Sequence, residues 1–222
     1  MEYIEKTKKL LYEVELYPGQ QQEIISLAGA MGCDINEHVP TLIEYGKKCK
    51  TITEMGVRFG WSTRCFLYTK PNKLVSIDKY SWGSIEQAGG SPQPGNFYYE
   101  QYKKLYEGIV DYQFVLSDTT KIDPIKETEL LFIDTFHHRD CLKIELKKHG
   151  NQATKFILLH DTETFGQKGQ SDASCTFVDF PCTDELGTGL WYAINPWLVA
   201  NPQWKIKQHY TNNNGLTILE RL

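Results

Sequence analysis

Residues 51–63 read TITEMGVRFGWST, and the chain can be read outward from them. Thr51, Ile52 and Thr53 are β-branched and favour an extended backbone. Glu54 closes that run. Gly56 and Gly60 then permit a tight turn that side chains would block. Trp61, Ser62 and Thr63 open an apolar-periodic segment through Cys65, Phe66 and Tyr68 that can continue as a helix. The order is strand, acidic residue, glycine turn, helix. In an open α/β sheet, the crevice at such a strand's carboxyl end is where a nucleotide-like ligand sits.

Spacing narrows the ligand. A dinucleotide fingerprint needs Gly-x-Gly-x-x-Gly, so that backbone can approach a pyrophosphate. Here Gly56 and Gly60 are four apart, and Arg58 stands where the middle glycine would be. An acid just before the turn suits a cationic or amino-bearing ligand better than a diphosphate. A nicotinamide-dependent oxidoreductase on a similar sheet is therefore the weaker reading.

Downstream, strands and helices alternate. Residues 73–78, KLVSID, form a short apolar strand ending in Asp78, which lies 18 residues beyond Gly60. An acid at that place in a βαβ unit accepts hydrogen bonds from a ribose diol. Residues 79–95 read as a long loop, and residues 96–108 as a helix with Tyr98, Tyr102, Leu105 and Tyr106 on one face. A third strand, 112–117, closes with Ser117 and Asp118. The fourth, 129–134, ends in Asp134 and is followed by Thr135, Phe136, His137 and His138. A charged amphipathic helix at 139–149 turns Cys141, Leu142 and Leu146 inward, leaving His138 and His149 as surface residues. The fifth strand, 155–160, ends in His160, Asp161 and Thr162. A long Gly/Ser/Asp-rich loop, 165–189, leads to a helix at 190–200 that Pro196 should kink or shorten. Strands at 204–210 and 216–220 flank Thr-Asn-Asn-Asn-Gly, strong turn chemistry for an antiparallel hairpin, with His209 expected at its surface.

The pattern predicts an α/β fold: a Rossmann-like, doubly wound, mostly parallel sheet with a C-terminal antiparallel hairpin and helices on both faces. Residues 51–222 form the core of a single domain, and residues 1–50 are a helical preamble with candidates at 20–31 and 36–49. The 222 residues, 41% of them hydrophobic, suffice for one sizeable core. A net charge of −4 with no long basic run shows no nucleic-acid footprint. No apolar run reaches a membrane span, and the N-terminus lacks a signal-peptide apolar region. Six scattered cysteines read as reduced thiols of a cytoplasmic protein.

Glu54-x-Gly56-x-x-x-Gly60-x-Ser62 resembles the first motif of class I S-adenosylmethionine (SAM) methyltransferases, and the strand order extends that resemblance from residue 51 to the end. It implies a seven-stranded sheet and a SAM site drawn from Glu54, Gly56, Arg58, Gly60, Ser62, Asp78, Ser117, Asp118 and Asp134. Asp134 and Asp161 end neighbouring strands, and two carboxylates in one site repel unless positive charge lies between them. A hard divalent cation resolves that, with His160 supplying an imidazole. The set resembles metal-dependent O-methyltransferases. In the catechol-type branch Asp134 and Asp161 match, with Thr162 in the place of an asparagine. In the macrolide-sugar branch Asp134-x-x-His137 matches fully and His160 replaces a glutamate. The catechol branch has a lysine base where His137 falls, so the sugar branch is closer. The resemblance thus implies SAM, a divalent metal (magnesium or manganese) on Asp134, His160 and Asp161, and His137 as catalytic base beside Asp134. The acceptor would be a small molecule or glycan hydroxyl. A non-catalytic SAM- or glycan-binding module is the alternative of another class. Oligomeric state is open.

Overall fold

The computed structural model describes residues 34–58, 60–79, 97–171, 179–180 and 183–222. The helical candidate at 20–31 and nearly all of the loop at 79–95 lie outside the described residues. Seven strands form one sheet: β1 (Thr51–Met55), β2 (Lys73–Asp78), β3 (Asp111–Leu116), β4 (Thr128–Ile133), β5 (Ala153–His160), β6 (Trp204–Tyr210) and β7 (Leu216–Arg221). Their order is β3-β2-β1-β4-β5-β7-β6. β1 to β5 are mutually parallel, and β7 runs antiparallel to both β5 and β6. The strand order reverses between β1 and β4, so their carboxyl ends open the switch-point crevice expected of this topology.

Period-two alternation assigns each strand residue to a layer. Ile52, Leu130, Phe132, Phe156 and Leu158 face one core, shared with α1 (Val39–Gly46), α2 (Trp61–Tyr68) and α3 (Phe97–Leu105). Met55, Leu131, Ile133, Ile157 and Leu159 face the other, shared with α4 (Arg139–His149) and α5 (Trp191–Ala200). A sheet covered on both faces explains why β4 and β5 are near-continuous apolar runs.

Two histidine expectations need correcting, and Pro196 lies inside α5 without shortening it. The carbonyl it deprives of a donor belongs to Tyr192, a residue 41% exposed, where water can replace the lost bond. His149 is fully buried, bonded through Nε2 to the Thr119 carbonyl at 2.8 Å. His138 is buried too, and its Nδ1 accepts from the Asp140 amide at 3.2 Å as the N-cap of α4. Cys49, Cys65 and Cys141 are buried thiols outside any disulfide, and the other three cysteines lie outside the described residues. Among the described residues no helix is long and apolar enough to cross a membrane.

Candidate functional site

The glycine turn joins three strand ends. Gly56 has φ +83°, and a Cβ there would stand 1.8 Å from the Asp134 carbonyl oxygen. Its amide donates to the Ile77 carbonyl at 2.9 Å, while the Asp134 amide donates to the Met55 carbonyl at 2.8 Å. Only glycine allows β1 and β4 to leave the sheet this close together. Gly60, at φ +74°, is the N-cap residue of α2. Between them the amides of Val57 and Arg58 donate to Asp78 Oδ2 at 2.8 and 3.1 Å. Arg58 contributes its backbone here, since its guanidinium lies at the surface, 3.3 Å from Asp34. Asp78, 6% exposed, thus holds the shape of the turn with one carboxylate oxygen.

Glu54 and Ser62, expected at the cofactor, are turned into the protein. Glu54 shares the face of Ile52, so its side chain points under α2 and not over the strand edge. There it accepts from the hydroxyls of Ser62, Thr63 (2.6 Å) and Ser76 (2.6 Å), with no solvent exposure. Burial pushes its carboxyl up to about 7, against those three hydroxyls. In this geometry the pair anchors α2 to β1 and β2. At the end of β3, the Ser117 amide donates to the Asp78 carbonyl at 2.8 Å. Asp118 accepts from the Thr120 hydroxyl at 2.6 Å and pairs with Lys79 and Lys121 at 3.6 and 3.5 Å. Burial opposes its charge, but these partners keep its carboxyl below the ordinary range.

Asp134 and Asp161 meet as the neighbouring strands β4 and β5 require, and two histidines stand with them. His137 Nε2 lies 2.7 Å from Asp161 Oδ2 and 3.2 Å from Asp134 Oδ1. His160 Nδ1 lies 3.3 Å from Asp161 Oδ2 and 3.5 Å from Asp134 Oδ2. Burial disfavours a charged His137 ring, but Asp161 and then Asp134 outweigh it and raise the ring to about 10. The same two acids raise His160 well above its ordinary value against burial. The histidines in turn hold Asp134 and Asp161 low despite burial. Asp161 sits at φ +60°, a left-handed conformation a non-glycine residue adopts only when its surroundings impose it. The next turn imposes it: the amides of Glu163 and Thr164 both donate to the Asn214 carbonyl, and Thr162 is bonded to Thr217 at 2.9 Å.

The residues fit a divalent cation. One ligand atom each from Asp134, His137 and Asp161 lies within 4.8 Å of the other two. Asp161 Oδ1 is buried without a hydrogen-bond partner, a cost that a positively charged ligand would remove. Two carboxylates and an imidazole suit manganese or iron at least as well as magnesium. The ligand atoms that come together are those of Asp134, His137 and Asp161, while His160, read with the two acids from the sequence, is fully buried with its Nδ1 3.5 and 3.3 Å from them.

Several residues of this site escape a reading by motif. Gln170 Oε1 is 2.9 Å from His137 Nδ1, and Phe165 stacks on that ring at 4.7 Å with a 4° interplanar angle. His38 lies edge-on to His160 at 5.5 Å and bonds the carbonyls of Asn212 and Asn213. Gln170 and Phe165 sit in a segment with no periodic signal, and His38 falls in the helical candidate at 36–49, where nothing local marks it as part of the site. Glu145 was legible. It falls in the same helical stripe as Cys141, Leu142 and Leu146, and it is buried, accepting from Thr119 and from Thr135 at 2.8 Å.

The sequence matches no protein-family model and no curated protein. Solved structures do share the fold. A Staphylococcus aureus protein assigned to the caffeoyl-CoA O-methyltransferases superimposes with a TM-score of 0.56 at 13% identity, over 97% of this chain and 99% of that one. The O-methyltransferase from Bacillus cereus, solved with SAH, gives 0.53 at 10% identity over 99% and 100%. The N-methyltransferase NodS from Bradyrhizobium japonicum gives 0.52 at 9% identity over 85% and 96%. The chain therefore has the Rossmann-like methyltransferase fold. Because this set includes both O- and N-methyl transfer, fold alone does not choose the accepting atom.

Proposed function

We propose that this protein is a SAM-dependent O-methyltransferase that methylates a hydroxyl of a sugar or glycan with the help of a divalent metal. The observation that carries this reading is the convergence of Asp134, His137 and Asp161 beside the glycine turn, at the switch point of the sheet. SAM would lie over the turn at Gly56–Gly60, with Asp78 and the end of β3 around its adenosine. The SAH-bound neighbour of the same fold supports SAM as the ligand. Asp134, His137 and Asp161 would hold the cation. When bound, the cation supplies Lewis acidity that lowers the pKa of an acceptor hydroxyl and orients it.

This chain's own part is alignment. The Asp134 carbonyl packs against Gly56, so the end of β4 and the glycine turn move as one body. That keeps acceptor oxygen and methyl carbon in line, the geometry from which a direct displacement draws much of its rate. The carbon–sulfur bond breaks as the oxygen–carbon bond forms, S-adenosylhomocysteine leaves with the bonding pair, and the acceptor's proton passes to water. Phe165, stacked on His137, covers one side of the cluster against water. A vicinal diol could present two oxygens to one cation. The Asp134-x-x-His137 spacing, with His137 among the acids, favours a sugar over a catechol.

The test is transfer of labelled methyl from SAM to a panel of sugars and catechols, with manganese or magnesium present. Label should enter the sugars and disappear with EDTA, while calorimetry still shows SAM bound. Transfer undiminished by chelator would remove the metal from the reading. Absence of SAM binding, with reduction of NAD by an alcohol, would replace it by an oxidoreductase.

A further inference from the structure

We propose that Gln170 is the positioning residue that makes His137 a metal ligand, by fixing which ring nitrogen carries the proton. The inference rests on the metal reading above and deepens it. The contact is specific. His137 Nδ1 lies 2.9 Å from Gln170 Oε1, and the backbone amide of His137 approaches the same oxygen at 3.5 Å. That amide is always a donor, so the Gln170 group facing it is the carbonyl oxygen and not the NH₂. An oxygen there accepts from the ring, and Nδ1 must hold the proton.

The consequence falls on Nε2. In a neutral ring with Nδ1 protonated, Nε2 carries a lone pair. It points at two carboxylate oxygens, 2.7 and 3.2 Å away on Asp161 and Asp134. Two anions call for positive charge at Nε2: a second proton there, or a divalent cation that takes that proton's place while Gln170 keeps the one on Nδ1. The ring cannot rotate away, because Phe165 lies parallel to it at 4.7 Å.

The same contact ties the site to the connection between β5 and α5. The Gln170 amide donates to the His137 carbonyl at 2.8 Å, and the preceding Gly169 amide donates to the Thr188 hydroxyl at 2.8 Å. A Cβ on Gly169 would stand 2.6 Å from the His138 ring, so this segment is pressed directly onto the start of α4. Seating of this segment and preparation of the ligand are one event.

Titration of manganese alone, followed by electron paramagnetic resonance, tests this on the purified protein. Gln170→Leu removes the acceptor but keeps the backbone bond to His137, and should weaken manganese binding by about 10–100-fold. Gln170→Glu restores an acceptor and should bind manganese at least as tightly as the wild type. A purely structural glutamine would lower thermal stability in both variants and leave manganese affinity unmoved. Equal affinity in wild type and Gln170→Leu overturns the inference while leaving the metal reading intact. A wild type that binds no manganese overturns the metal reading itself, and the role of Gln170 with it. Should Gln170→Leu fail to fold, nitrogen-15 resonances of His137 in the magnesium-loaded wild type decide. A proton on Nδ1 supports the inference, and a proton on Nε2 overturns it.

Discussion

On the β1–β2 side of the switch point, buried carboxylates are met by hydrogen-bond donors from the chain itself. Glu54 takes three hydroxyls and Asp78 takes two turn amides. Across the crevice, at the ends of β4 and β5, Asp134 and Asp161 face each other with only imidazoles between them. All four acids lie at or near strand ends and look alike in the sequence. Their partners separate them. A carboxylate surrounded by neutral donors is a fastening of the fold. A pair of carboxylates set against each other creates a demand for positive charge.

The largest expected effect breaks the β4–β5 side. His137→Ala and Asp161→Asn should each lower methyl transfer by roughly 10²–10⁴-fold and weaken manganese binding, with SAM affinity close to wild type. Turnover and manganese titration, measured together, check this. A His137→Ala protein that keeps its manganese but loses turnover would return the residue to the role of base.

The next effect contrasts carboxylates met by hydroxyls with those met by imidazoles, by the sign of a pH dependence. Glu54 and Glu145 are both raised by burial to about 7 in the folded chain. Unfolded, such carboxyls ionise near 4.3. Between those values the folded state holds more protons, so stability should fall as pH rises through that window, by up to about 3 kcal/mol for each group. Asp134 and Asp161 are depressed, so their contribution has the opposite sign, present above the unfolded aspartate range and lost in acid. Denaturant titrations should show the fall of stability between pH 5 and 7 becoming shallower in Glu54→Gln, by up to about 3 kcal/mol over the window. An unchanged slope, with weakened SAM binding, would restore Glu54 to the cofactor.

The smallest effect concerns Asp78. Asp78→Ala removes a charged acceptor from two turn amides and from the expected ribose diol. Calorimetry should show SAM affinity reduced by about 1.5–3 kcal/mol. Equal affinity would leave Asp78 as a turn fastening alone, making the two sides more unlike still.

Most of the fold was legible because its signals are local. β2 and β6 fall where their residues were expected, and α4 spans residues 139–149 as its apolar stripe requires. At the strand ends placement was legible: Gly56, Asp78, Asp134 and Asp161 all reach the crevice edge. For Glu54, motif spacing points to the cofactor while strand parity puts it on the Ile52 face, under α2, where its side chain lies. His149 was misplaced because a polar residue was assumed to face water, although it follows Glu145 in the buried stripe. Gln170 and His38 were out of reach, because they arrive at the cluster through contacts between segments 33 and 122 residues apart in sequence.

The place of β7 has a consequence in time. It lies between β5 and β6, and its preceding turn grips the turn that holds Asp161 in its left-handed conformation. Chains emerge from the ribosome N-terminus first and gather structure as they go. β1 to β5 can therefore assemble while one flank of β5 is still an open edge, a natural template for a stray strand. In that interval Asp161 has no reason to hold its strained backbone. The nascent protein would carry a sheet before it carried a centre, and the centre would be completed by a hairpin made more than forty residues after the last aspartate it needs.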